Sequence, residues 1–188
     1  MSKFQNRPIK EKKTISRHLL EWLATLALGA VILFFLAPPS WWMFGPSPVE
    51  ERPKTANFTL RQLNGAEWDF SEYRGSIVVL NYWATWCPPC RFETPGLVSI
   101  ANEFKYRRVE MLGVTMDEDL NAVRSFIENY EIKYPILLPG NDPNVGEDEM
   151  ALPTTFLYDK EGRLAKKYTG IVLESTLRSD IEELLKEL

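Results

Sequence analysis

Ile77-Val78-Val79-Leu80-Asn81-Tyr82-Trp83-Ala84-Thr85-Trp86-Cys87-Pro88-Pro89-Cys90 joins an apolar, β-branched run to two cysteines three residues apart, the only cysteines in 188 residues. Ile77 to Tyr82 is continuous rather than alternating, the pattern of a strand buried on both faces. It delivers the chain directly to Cys87. A Cys-x-x-Cys at a helix start puts positions i and i+3 on one face, with both sulfurs within bonding reach. Cys87 then lies where free N–H groups and the positive end of the helix dipole favour a thiolate, the attacking species in disulfide exchange. Cys90, one turn deeper, is placed to resolve a mixed disulfide by attacking Cys87.

Other uses of two cysteines fit less well. Zinc usually takes four protein ligands, and the single histidine, His18, stands far away in a basic arm. Covalent haem needs histidine directly after the second cysteine, where Arg91 stands. A purely structural bridge closing so short a loop constrains the unfolded chain little.

Residues 1–18 carry six bases against one acid. An apolar stretch over 19–44 follows, with Glu21 near its start its only charge. It is long enough to cross a bilayer, for which about 20 residues suffice. Trp22 at one end and Trp41 and Trp42 at the other are placed as interfacial anchors, and the basic flank predicts a cytoplasmic N-terminus. A cleaved signal peptide is the rival reading, but Pro38, Pro39, Trp41, Trp42 and Phe44 after Ala37 do not make a small-residue cleavage site. A retained single-pass anchor is expected, with the remainder on the outer face of the cytoplasmic membrane, where disulfides persist.

Net charge is −4, yet the part beyond the anchor holds 24 acids and 16 bases, which argues against nucleic acid as a partner. Pro46, Pro48 and Pro53 punctuate 45–54, read as a semi-rigid spacer, and 55–188 is long enough for one core. Within it, Asn64-Gly65 between Phe58–Leu63 and Ala66–Phe70 predicts a hairpin. Leu97, Ile100, Ala101 and Phe104 form a helical stripe, and Pro95 inside that helix removes one backbone bond. Glu110–Thr115 reads as a second buried strand. Leu120, Val123, Ile127 and Tyr130 read as a helix capped by Asp117. Ile136–Leu138 is extended, and Pro139 to Asn144 is a loop. Thr155–Tyr158 and Leu164–Tyr168 bracket a turn, and Leu177, Ile181, Leu184, Leu185 and Leu188 mark a terminal helix. Alternating strands and helices predict an α/β domain, a mixed sheet with helices on both faces.

With Glu93, Pro95 and Leu152-Pro153-Thr154-Thr155-Phe156-Leu157 added to the run from Val79 to Cys90, the segment 54–188 resembles the thioredoxin superfamily. Within it the likeness is to the membrane-anchored TlpA/ResA-like thiol-disulfide oxidoreductases, including those of cytochrome c maturation. The resemblance implies the thioredoxin fold with an N-terminal hairpin extension, and Cys87 and Cys90 as the redox-active pair. It implies that Pro153 is the cis-proline facing that pair, leaving the Leu152 backbone to pair with an extended substrate. Trp86, Pro88 and Pro89 then line the substrate side. Thioredoxins proper carry a buried aspartate where this chain has Asn81, whereas Glu93 matches the glutamate that ResA-like proteins use. A buried carboxylate has a raised pKa and would help deprotonate Cys90. Pro88 and Pro89 lack N–H donors for the Cys87 sulfur, which points to a reducing poise, while the Arg91 charge pulls the other way.

The activity implied is disulfide reduction in exported proteins such as apocytochrome c, fed by a CcdA/DsbD-type membrane electron donor. The alternative is an oxidase or isomerase of the same fold. A peroxide-reducing enzyme would want one activated cysteine with a nearby Thr and Arg, and a binding module would not need both sulfurs. No cofactor or metal is called for by any motif.

Overall fold

A computed structural model describes residues 22, 25, 26, 28, 29, 45–55, 57–140 and 150–187. The chain divides into two units, Met1–Phe44 and Gly45–Leu188. In the first, the described residues are helical, and Trp22, Leu26 and Leu28 are exposed. No helix among the described residues is long and apolar enough to cross a membrane. The basic arm 1–18 and most of the expected anchor 19–44 lie outside the described residues, as does most of the loop after Pro139.

The second unit is built on a sheet of seven described strands: β1 (Thr59–Gln62), β2 (Glu67–Asp69), β3 (Ile77–Trp83), β4 (Val109–Thr115), β5 (Ile136–Leu138), β6 (Thr154–Tyr158) and β7 (Leu164–Thr169). Their order is β2-β1-β5-β4-β3-β6-β7. β3 and β4 pair in parallel, as do β4 and β5, and the remaining pairings are antiparallel. All seven residues of β3 are buried, as its unbroken apolar run predicts for a central strand. The hairpin between β1 and β2 turns at Gly65, whose φ of 92° suits glycine, with Asn64 Oδ1 accepting from the Ala66 N–H.

Three α-helices are described in the second unit: α1 (Pro88–Phe104), α2 (Leu120–Asn129) and α3 (Glu174–Lys186). Leu97, Ile100 and Phe104 of α1 and Leu177, Ile181 and Leu184 of α3 pack with Val79 and Met111. Val123 and Phe126 of α2 pack with Trp83 and Ile136. Val79 and Trp83 share one face of β3 by strand alternation, so the three described helices cover one face. The expectation of helices on both faces is corrected here for the described residues. The steps β3 to β4 and β4 to β5 run the same way across the sheet, and crossovers of one hand then place α1 and α2 on the same side. Val78, Leu80 and Tyr82 on the other face are closed by Phe58, Trp68 and Phe70 from the hairpin region.

Two further expectations differ. The cap of α2 is Asp119, whose Oδ1 accepts from the Asn121 and Ala122 N–H groups. Asp117 is too early for that position, because a cap directly precedes the first helical residue. The segment 45–54 is not a spacer but a strap docked on the domain. Ser47 N–H donates to Ala165 O, Leu164 N–H to Pro53 O, and the Lys54 backbone forms an isolated antiparallel β-bridge with that of Arg163. Arg52 reaches through the strap with its side chain buried, donating to Ser47 O at 2.6 Å, to Asp159 at 3.2 Å and to both Glu187 oxygens at 2.6 and 2.7 Å. Proline content alone suggests a semi-rigid spacer.

Arg52→Met removes a buried charge and leaves Asp159 with only the Arg163 pairing. Breaking such a set from one side should cost about 3 kcal/mol, read as a lowered urea midpoint of the 45–188 unit. An unchanged midpoint would show that the strap lies outside the cooperative unit.

Candidate active site

Cys87 caps α1, and Pro88 and Pro89 fill the first two helical positions, where a missing N–H costs nothing and a fixed φ suits the turn. Cys87 and Cys90 are joined in a disulfide. Cys90 is fully buried and Cys87 is 3% exposed. The Cys90 N–H donates to Cys87 Sγ at 3.3 Å. Trp86, 67% exposed, and exposed Pro88 surround the pair on its solvent side, with Pro89 half-buried. Arg91 is also exposed.

The loop that carries Trp86 is pinned by a residue that sequence reasoning assigned elsewhere. Asp117 accepts from the Thr85 N–H at 2.8 Å, from the Thr85 hydroxyl, and from the Thr115 hydroxyl at 2.8 Å. Thr85, two residues before Cys87, is thereby tied to the end of β4. No sequence spacing announces a contact across 32 residues. An aspartate just past a buried strand, two residues after Thr115, is the only trace of it.

The Leu152–Pro153 peptide is cis. Thr154, the next residue, pairs with Tyr82 near the end of β3, and Leu152 packs against the cluster that holds Cys87 and Cys90. Pro153 is buried, and its carbonyl accepts from the Gly170 N–H at 2.8 Å. The segments on which the resemblance rested, nearly 70 residues apart, thus meet at the carboxyl end of β3.

Glu93, three residues beyond Cys90, shares the buried side of α1 with it and is 4% exposed. Its Oε1 accepts from Asn81 Nδ2 at 2.8 Å and its Oε2 from the Val172 N–H at 3.0 Å. Asn81 also donates to Thr155 Oγ1 at 2.9 Å, which fixes its orientation. Burial raises the Glu93 pKa to about 7, the two hydrogen bonds opposing it only in part. Tyr134, partly buried, has its phenol pushed upward by burial and by the Glu93 charge. The structure therefore sets the cis-proline segment against the two cysteines and buries, one helical turn beyond Cys90, a carboxyl whose pKa burial raises to about 7. Val172 was not foreseen, because its contribution is a backbone N–H that no side-chain pattern encodes.

A disulfide at a helix N-terminus with a buried acid one turn deeper can accept two electrons to become two thiols and give them back by closing again. Comparison with known proteins agrees with this chemistry. The model of the AhpC/TSA family matches residues 52–177. Thiol-disulfide oxidoreductase ResA of Bacillus subtilis is 35% identical over 144 residues, 76% of this chain and 79% of that protein. ResA of Geobacillus thermodenitrificans is 30% identical over 178 residues, 93% of this chain and 98% of that protein. Among solved structures, a DsbF homologue from Corynebacterium diphtheriae superimposes with a TM-score of 0.67 at 25% identity, covering 73% of this chain and 90% of that one. The thioredoxin-like fold, the cysteine pair and these relatives place the chain in the AhpC/TSA family, among its thiol-disulfide oxidoreductases related to ResA.

Proposed function

We propose that this oxidoreductase works as a disulfide reductase held on the outer face of the cytoplasmic membrane, acting on exported proteins such as apocytochrome c and re-reduced by a CcdA/DsbD-type membrane donor. The observation that carries the reducing direction lies at Cys87. Its sulfur accepts one backbone hydrogen bond, from Cys90, and the two intervening residues are prolines without N–H groups. A thiolate with few donors is less stabilised, so the reduced pair gives up its electrons more readily. The location rests on the basic arm, the uncharged stretch and its flanking tryptophans.

In the reaction, the Cys87 thiolate attacks one client sulfur, the client S–S bond breaks with the other client sulfur leaving as thiolate, and a Cys87–client disulfide forms. Cys90 then loses its proton to the Glu93 carboxylate and attacks Cys87 Sγ. The client sulfur bound to Cys87 then leaves as thiolate, and the Cys87–Cys90 bond closes, with two electrons passed to the client.

Arg91 favours the opposite poise, since an exposed cation in the first turn of the helix that Cys87 caps stabilises the thiolate. Equilibration of the 45–188 unit in thiol buffers decides between the two readings. A potential at or below about −270 mV is expected, whereas a value near −120 mV would make the protein a disulfide donor.

A further inference from the structure

The turn between β7 and α3 touches both halves of the site through its backbone. Gly170, with φ of 85°, donates to the carbonyl of cis-Pro153, and two residues on, Val172 donates to Glu93 Oε2. Val172 is buried, but its neighbours Ile171 and Leu173 are 44% and 58% exposed. Leu173 is moreover the N-cap of α3 and offers no side-chain cap to it. Serine, threonine or aspartate would satisfy that helix end, so an exposed leucine there sacrifices local stability. Departures from local preference of this kind are expected where a residue is kept for contact rather than for folding.

We propose that the turn Gly170–Leu173 couples client docking to proton handling: apolar residues flanking the client's cysteine seat on Ile171 and Leu173 and draw the Val172 N–H away from Glu93. The occupant follows from position. The turn is hydrogen-bonded to Pro153 and so continues the surface on which the client's cysteine must lie to reach Cys87. A carboxylate that loses one of two donors binds its proton more tightly, which narrows the gap between it and the Cys90 thiol. The groups that bear on Glu93 are Asn81 and, behind it, Thr155 from the sheet, Tyr134 from the turn before β5, Val172 from this turn, and Cys90 on its own helix. Of these only the Val172 contact is carried by a turn with exposed apolar neighbours. The coupling rests on the acid–base role of Glu93 proposed above.

The test follows the Glu93 carboxyl carbon by NMR across pH in the 45–188 unit carrying Cys90→Ser. Cys87 is linked either to glutathione or to the pentapeptide Leu-Val-Cys-Val-Leu. The peptide adduct should titrate higher than the glutathione adduct by about one pH unit, as loss of one donor implies. Ile171→Ser with Leu173→Ser should abolish the difference. Val172→Pro, which deletes the N–H, should raise the midpoint in both adducts. Equal midpoints in the two adducts, or a difference that survives the double substitution, would overturn the coupling. The Cys90 thiol titration in Glu93→Gln tests the underlying role separately. If that titration is unmoved while the adducts differ, the coupling stands and the acid–base role falls.

Discussion

Cys87→Ala should abolish disulfide turnover, by on the order of a thousandfold or more, while Cys90→Ala should keep the first attack and stop at the mixed disulfide. The asymmetry comes from the helix start. Cys87 is the capping residue, its sulfur facing the Cys90 N–H and retaining some exposure, whereas Cys90 is sealed inside. A client sulfur can therefore reach only Cys87. Without Cys90, nothing in the described structure attacks the mixed disulfide from within, and the client stays attached. Stopped reactions of the two variants with an oxidised protein substrate, resolved on non-reducing gels, check this. Adducts on Cys87→Ala in place of Cys90→Ala would reverse the assigned roles. The same Cys90→Ala adducts, recovered from the cell envelope, identify the client.

The parts of this site legible in the sequence were those encoded by side-chain type at a fixed local spacing. Cys87, Cys90 and Glu93 sit on one face of a helix whose start is announced by a strand and two prolines, so three positions follow from one periodicity. Pro153 was legible only through resemblance, because no local rule ties it to a pair more than sixty residues earlier. What escaped was tertiary or made of backbone. Asp117 was placed as a cap because it precedes a helical stripe, yet its oxygens serve Thr85 and Thr115, and Asp119 holds the cap. Arg52 falls in the segment 45–54 that its prolines mark as a spacer, but long-range carboxylates at 159 and 187 draw it inside. The placement of the helices on one face depends on the direction in which successive crossovers step, and strand order cannot be read from hydropathy.

Glu93→Gln should change stability and activity in a pH-dependent way whose sign is fixed by burial. The carboxyl's pKa is raised from 4.5 to about 7 in the folded protein, chiefly because burial penalises its charged form. The folded state therefore binds the proton more tightly than the unfolded chain, and stability falls as pH rises from about 4.5 to about 7, levelling off above. At pH 8 the charge costs about 2–3.5 kcal/mol, the upper end being the full rise from 4.5 to about 7 converted at 1.36 kcal/mol per pH unit. Glutamine never ionises and escapes that loss. Its amide can accept from Asn81 but then turns an NH2 toward the Val172 N–H, a mismatch that costs the same at every pH. The informative quantity is thus the change in the variant's advantage between pH 4.5 and pH 8, which should favour glutamine by about 2–3 kcal/mol in the oxidised protein, where the cysteines do not titrate. In the reduced protein the sign is opposite for function: without a proton acceptor for Cys90, resolution should slow about a hundredfold near neutrality. Urea unfolding of the oxidised forms and single-turnover reduction by the reduced forms, each across pH, measure the two effects. A stability difference that is flat with pH would mean that Glu93 does not titrate in this window, and with it would go the proton route from Cys90.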